Sequence, residues 1–183
     1  MTDDARVDVH HLTRVEGHGD IHAEIKGGKL QEARFAIVEA PRFFEGFLRG
    51  HPYDEVVHMA SRICGICAVS HSAAALKATE KAFGVEISEQ TRLLRRLAYV
   101  GEVMSSHILH IYYLAAPDFL DLPSVLPLIE TDKELVLRAM RMKELAFDIC
   151  KETVGRHTHP VSMKVGGFSM VHEEDKLLAL RER

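Results

Sequence analysis

Two cysteines and a histidine stand close together in the stretch Arg62-Ile63-Cys64-Gly65-Ile66-Cys67-Ala68-Val69-Ser70-His71. Thiolates are soft ligands that bind nickel, iron, zinc and copper, and imidazole also ligates several of these metals. Gly65 permits a tight turn between the two sulfurs. The Cys-x-x-Cys spacing alone is shared by structural zinc sites, redox dithiols and haem attachment sites. A four-cysteine zinc site needs a second such pair, and the remaining cysteine, Cys150, stands alone. A thioredoxin-like dithiol follows a strand, whereas Tyr53 to Ile63 reads as helix. Haem attachment needs histidine directly after the second cysteine, where Ala68 stands. Metal or redox chemistry is therefore the expectation, from a pattern that is weakly specific by itself.

These ligands must be positioned by the elements around them. Ile66, Val69, Ala73, Leu76 and Phe83 recur at helical spacing, which predicts a helix running from the second cysteine to near Gly84. Cys67 and His71 then share one helix face, a turn apart. Cys64 lies just ahead of the helix, near its positive end, an environment that favours thiolate. Upstream, Val7 to Leu12 can form a short strand. Ile21, Ala23 and Ile25 alternate with polar residues, and Gly27-Gly28 is a two-residue turn. A hairpin over Asp20 to Val38 follows, with an irregularity near Glu32. Arg42 to Gly50 and Asp54 to Arg62 read as short helices, with Phe43, Phe44, Phe47 and Leu48 as core residues.

Downstream, Ser88 can cap a long amphipathic helix whose apolar stripe is Leu93, Leu97, Val100, Met104, Ile108 and Ile111. It should run to about Ala115, roughly 27 residues or about 40 Å at the helical rise. Pro117, Pro123 and Pro127 mark a loop. Thr131-Asp132-Lys133-Glu134 reads as a capping box opening a helix that carries Leu135, Ala139, Met142, Ala146 and Ile149 and ends before Gly155. Cys150 lies beside that face as a buried free thiol. A further helix is expected from near Val171.

The chain has 183 residues, enough for one domain with its own core. The predicted fold class is α+β, mainly α: a single domain, residues 1–183, with a β region over 1–40 and a helical region over 41–183. In it an N-terminal β-hairpin packs on a helix bundle. A net charge of −4 argues against nucleic acid or an anionic membrane as partner. No apolar run reaches the roughly 18 residues of a membrane span. The acidic start lacks a signal-peptide core, and the three cysteines make no disulfide framework, so the expected location is cytoplasmic. Twelve histidines favour metal or proton chemistry.

Four further strings have plain structural readings when taken one at a time. Thr13-Arg14-Val15-Glu16-Gly17-His18-Gly19 is a glycine turn. Glu45 in Phe43-Phe44-Glu45-Gly46-Phe47 is an outward acid among aromatics. His107 and His110 are core-edge histidines, and Gly155-Arg156-His157-Thr158-His159-Pro160 with Gly166-Gly167 is a loop. In this order, and with the Arg62 to His71 stretch, they resemble the large, catalytic subunit of nickel–iron hydrogenases over about Val9 to Ser169. Within that family the likeness is to the cytoplasmic multisubunit group coupled to a nicotinamide, deazaflavin or heterodisulfide partner.

The resemblance implies a reversible oxidation of H2 to protons and electrons at a nickel–iron centre. Four thiolates hold the nickel, and two of them bridge to an iron carrying carbon monoxide and cyanide. On this pattern Cys64 is a terminal nickel ligand and Cys67 a bridging one. His71 hydrogen-bonds near the bridging sulfur, and Arg62, His110 and His159 lie close to the cofactor, with His157 exposed. Glu16 relays protons, and Glu45 helps to hold a magnesium ion. Electrons pass to iron–sulfur clusters in a small subunit and on to further electron-transfer subunits. The family's second cysteine pair, in an Asp-Pro-Cys-x-x-Cys-x-x-His motif, is missing from this sequence. The chain alone is therefore expected to be inactive. Two alternatives follow. One is a non-catalytic truncated or docking module that binds the small subunit, or zinc at Cys64, Cys67 and His71. The other is an electron-transfer paralogue like the related respiratory complex I subunit, which has lost the metal thiolates and so fits these cysteines poorly.

Overall fold

The computed structural model describes residues 4–183, and the described chain divides after Phe47 into two compact units. Met1 to Asp3, part of the acidic start, lie outside the described residues.

In the first unit β1 (Ala5–Val9), β2 (Gly19–Lys26) and β3 (Lys29–Ile37) form an antiparallel sheet in the order β1-β2-β3. Gly27 and Gly28 both take positive φ, 56° and 71°, as a tight hairpin turn matched to strand twist requires. The expected irregularity is a bulge. Glu24 faces Glu32 but Ile25 faces Leu30, which leaves Gln31 as the extra residue. That extra residue explains why the apolar positions of β3 change parity between Leu30 and Ala33. Gly19 is buried beneath the Phe35 ring, which a Cβ there would strike. α1 (Pro41–Leu48) follows. It has no buried residue, and Phe43 and Phe47 are exposed, so these aromatics are not core residues of this chain as the sequence reading expects.

The second unit is helical. α2 (Tyr53–Ala60) packs on α3 (Ala68–Phe83), and α4 (Glu89–Ile108) packs on α3 and on α7 (Lys133–Val154). Beyond Ile108 the α4 helix does not stay α. A π-helical segment, Leu109–Ala115, intervenes before α5 (Ala116–Phe119), so the long helix predicted to Ala115 changes winding near His110. Such π segments frequently mark functional sites. α6 (Leu128–Thr131) precedes α7, and Asp132 rather than Thr131 caps α7, accepting from the Leu135 N–H at 3.1 Å. Thr131 is still helical and cannot serve as the cap. Gly84 and Gly155 end α3 and α7 in the left-handed conformation, at φ 66° and 81°. Within the Gly/Pro loop a small hairpin appears, β4 (Met163–Lys164) against β5 (Gly167–Phe168), and α8 (Glu174–Arg181) follows.

The core of this unit is Val57, Val69, Leu76, Ala98, Cys150, Val154 and Met163. Cys150 is a buried free thiol, as expected, and burial pushes it up to about 12, with the charge of Glu102 adding to the effect. The α4 face that enters the core is not the large apolar stripe. Thr91, Arg95, Ala98, Gly101, Glu102, Ser105 and Ile108 are buried, while Leu93, Val100 and Ile111 are about half exposed, at 51%, 47% and 54%. Small side chains bring α4 close to α7. A Cβ on Gly101 would lie 2.8 Å from Ile149 Cγ2 and 3.2 Å from the Ala146 carbonyl.

A buried ion pair fastens the small hairpin to these helices. Arg95 grips Glu80 with two hydrogen bonds, at 2.9 and 2.7 Å, and donates to the Lys164 carbonyl at 2.8 Å. Glu80 also accepts from the Gly166 N–H at 2.9 Å. Burial works against the charge on Glu80. The Arg95 and Gly166 hydrogen bonds, with the Arg95 charge, outweigh it and hold the carboxyl below its ordinary range.

Candidate metal centre

The cysteine pair lies where α2 gives way to α3. α2 closes with Ser61 as its C-cap, and the Arg62 and Ile63 amides extend the turn by donating to the Met59 and Ala60 carbonyls. Gly65 then turns the chain so that Cys67 becomes the N-cap of α3. The result is convergence. The Cα atoms of Cys64 and Cys67 are 5.5 Å apart, and their sulfurs are joined as a disulfide. The ligand atoms of Cys64, Cys67 and His71 all lie within 4.8 Å of one another, the one such metal-ligand cluster among the described residues. The predicted i,i+4 placement of Cys67 and His71 is what brings the imidazole over the sulfurs, with the His71 N–H donating to the Cys67 carbonyl at 3.1 Å. The three side chains are half-buried, reachable yet shielded.

This donor set fits a soft transition metal once the two sulfurs are reduced to thiolates. It supplies two thiolates and one imidazole and leaves coordination positions open. Cys150 does not belong to the cluster. The Cys67 N–H donates to Cys64 Sγ at 3.2 Å, so the first sulfur is held by a backbone amide.

Other segments close around the pair. His159 takes a left-handed φ of 54°, and its Nδ1 lies 2.8 Å from the Ser61 carbonyl. A carbonyl only accepts, so Nδ1 carries a proton and donates it to Ser61. This bond ties the Gly155–Pro160 loop to the residue that precedes Arg62. Thr158 of the same loop lies over Gly65. His157 is exposed and stacks on Phe147, with ring centroids 4.3 Å apart. Arg62 is exposed, and so is His110 on the π segment. In the last turn of α2, His58 Nε2 accepts from the Lys164 ammonium at 2.9 Å. Burial, then the charges of Lys164 and Arg62, lower the pKa of His58, consistent with a neutral ring.

Glu16 and Glu45 belong to the first unit. Glu16 is exposed in the loop between β1 and β2, where Arg14 and Gly17 take positive φ, at 61° and 88°. Glu39 holds that loop, accepting from the His18 N–H at 3.0 Å and lying 2.8 Å from its Nδ1. Glu45 is exposed on α1.

One important residue escapes the sequence reading. Glu102, on α4, is only 7% exposed. Its carboxylate accepts from the Val69 N–H at 2.5 Å, the Ser70 N–H at 3.0 Å and the Ser70 hydroxyl. It thus occupies the free amides of the first turn of α3, beside Cys67. A trace of it exists in the sequence, because Thr91, Arg95, Ala98, Glu102 and Ser105 recur at helical spacing just as the apolar stripe does.

A family model described as nickel-dependent hydrogenase matches residues 42–136, a stretch that contains both cysteines and His71. The chain belongs to the nickel-dependent hydrogenase family. It is 38% identical over 176 residues to sulfhydrogenase 2 subunit alpha of Pyrococcus furiosus, covering 96% of this chain and 43% of that one. It is 31% identical to the periplasmic [NiFeSe] hydrogenase large subunit of Desulfomicrobium baculatum, covering 94% of this chain and 38% of the relative. Among solved structures, an NAD+-reducing [NiFe]-hydrogenase in the H2-reduced state superposes with a TM-score of 0.81 at 36% identity, over 98% of this chain and 42% of that one. The chain thus spans about two fifths of the length of its hydrogenase relatives, and the α+β, mainly helical fold is that of this part of a large subunit.

Proposed function

We propose that this chain is the part of a nickel–iron hydrogenase large subunit that contributes the first cysteine pair to the catalytic centre. The observation that carries the reading is the convergence of Cys64, Cys67 and His71 in a chain of this family. Cys64 and Cys67 would hold the nickel–iron group, each giving it a thiolate. Bound there, the nickel–iron group, with carbon monoxide and cyanide on its iron, supplies the H2-cleaving chemistry. His71 places its imidazole beside the sulfurs, where a hydrogen bond would tune the donor strength of Cys67. Arg62 and His159 would lie close to the cofactor, His159 held by its bond to the Ser61 carbonyl, and His110 is assigned a place near it by motif alone. Glu16, in its left-handed loop, would take up the proton and pass it outward, and Glu45 would help to bind magnesium.

The remaining thiolates would have to come from sequence outside these 183 residues. A small subunit with iron–sulfur clusters is the implied electron acceptor, with further electron-transfer subunits beyond it and the cytoplasm as the expected location. No helix among the described residues is long and apolar enough to cross a membrane. The test is hydrogen uptake with a one-electron dye by the complex isolated from its own cells. Activity that disappears in Cys64→Ser and Cys67→Ser supports the assignment. Uptake unchanged in both variants would overturn it. A complex that binds zinc at these residues and takes up no hydrogen would instead be a docking module.

A further inference from the structure

Glu102 plays no part in the chemistry outlined above, yet it is a buried carboxylate bound to the first turn of the helix that a proposed nickel ligand caps. Burying a carboxylate is costly unless its charge is compensated. Among the described residues no cation pairs with it. Lys143, which lines the same cavity of about 140 Å³ together with Gly65 and Ile66, points its ammonium instead at the Ser105 carbonyl, 3.0 Å away. The compensation comes from the N-terminus of α3: two amides and the Ser70 hydroxyl converge on the carboxylate. Cys67 stands at the N-cap of that helix, the position whose side chain normally accepts these amides, and makes no cap hydrogen bond.

We infer that Glu102 is a positioning residue for Cys67. By taking the α3 amides in its place, Glu102 leaves the Cys67 sulfur free for the metal. Its charge also cancels the positive end of the helix, which would otherwise withdraw electron density from that sulfur. The two thiolates are thereby made unequal. Cys64 accepts a backbone N–H, and Cys67 is relieved of the amides that would compete for it.

The inference rests on the nickel reading, and its test separates the two. The hydrogenase complex is isolated from its own cells as wild type, Glu102→Gln, Glu102→Asp and Ser70→Ala. Nickel per chain, the thermal midpoint and the midpoint potential of the nickel centre are measured for each. Wild type without nickel would refute the nickel reading itself. With nickel present, Glu102→Gln, which removes the charge and keeps the shape, should shift the potential positive. Glu102→Asp, which keeps the charge, should return it towards wild type. Ser70→Ala strips one donor from the carboxylate and leaves its charge less compensated, so the potential should shift negative. That variant decides the matter if Glu102→Gln does not fold. Potentials equal to wild type in the folded variants, or shifts of one sign in Glu102→Gln and Ser70→Ala, would overturn the inference. So would nickel loss that merely tracks loss of thermal stability in all three variants.

Discussion

Asp8 and Asp20 in the sheet, and Glu39 just after β3, meet histidines in the open, whereas Glu80 and Glu102 in the helical unit are closed off from water. In the sheet, His22 Nδ1 lies 2.6 Å from Asp8 across the β1–β2 pair, and His10 lies 3.4 Å from Asp20. These contacts stay partly or largely solvated. In the helical unit both carboxylates accept backbone amides from another segment, Gly166 for Glu80 and the start of α3 for Glu102. The chemistry is the same, but the consequences differ. Exposed pairs trim the edges of a small sheet, while buried ones fix the backbone that carries the cysteines and the loop with His159.

Ways to break this contrast can be ranked by the size of their effect. The largest is loss of the metal itself, since Cys64→Ser or Cys67→Ser should abolish nickel retention as read by elemental analysis. Next comes the buried pair. Arg95→Ala leaves the Glu80 charge uncompensated, and a loss of about 3–5 kcal/mol in urea unfolding is expected. The pH dependence follows from the same pair. Because the folded Glu80 carboxyl is held below its unfolded range, its contribution is complete above that range and is lost as the pH falls through the lower folded value. Acid unfolding of Glu80→Gln should therefore lack that step. Gly101→Ala drives a methyl into Ile149 and Cys150 and should cost about 1–3 kcal/mol. The smallest effect belongs to the sheet. Asp8→Asn breaks an exposed contact with His22 and should leave the thermal midpoint indistinguishable from wild type. A large loss there, or none from Arg95→Ala, would erase the distinction between the two regions.

Much of the fold is legible in the sequence because its markers are local. Gly27-Gly28, Ser88, Gly84 and Gly155 act through backbone conformation and capping, and each is found in its expected role. The bulge in β3 is legible too, since one extra residue must shift the parity of the apolar positions on either side of it. The face of α4 is not legible in this way, because two stripes on that helix share one period. Hydrophobicity selects Leu93, Val100 and Ile111, and packing selects Ala98, Gly101 and Ser105, since small residues allow α4 to approach α7. The π segment has no local marker in this chain. At the candidate centre, Cys64, Cys67 and His71 are visible because they are close in sequence. Glu102 leaves only a faint trace, in the small and polar stripe of α4, because it meets α3 from 33 residues away, a relation that only the packing of α4 creates. The positive end of α3 is read from the sequence as a support for thiolate, but Glu102 has already taken its amides.

The role proposed for Cys64 and Cys67 is to hold nickel. The most direct measurement is metal analysis of the protein isolated from its own cells, combined with infrared spectroscopy in the region of metal-bound carbon monoxide and cyanide. Nickel and iron in near-equal amounts to the chain, with those bands present, is the result expected here. Zinc or no metal, with the bands absent, would contradict the claim and leave a hydrogenase fold without its catalyst.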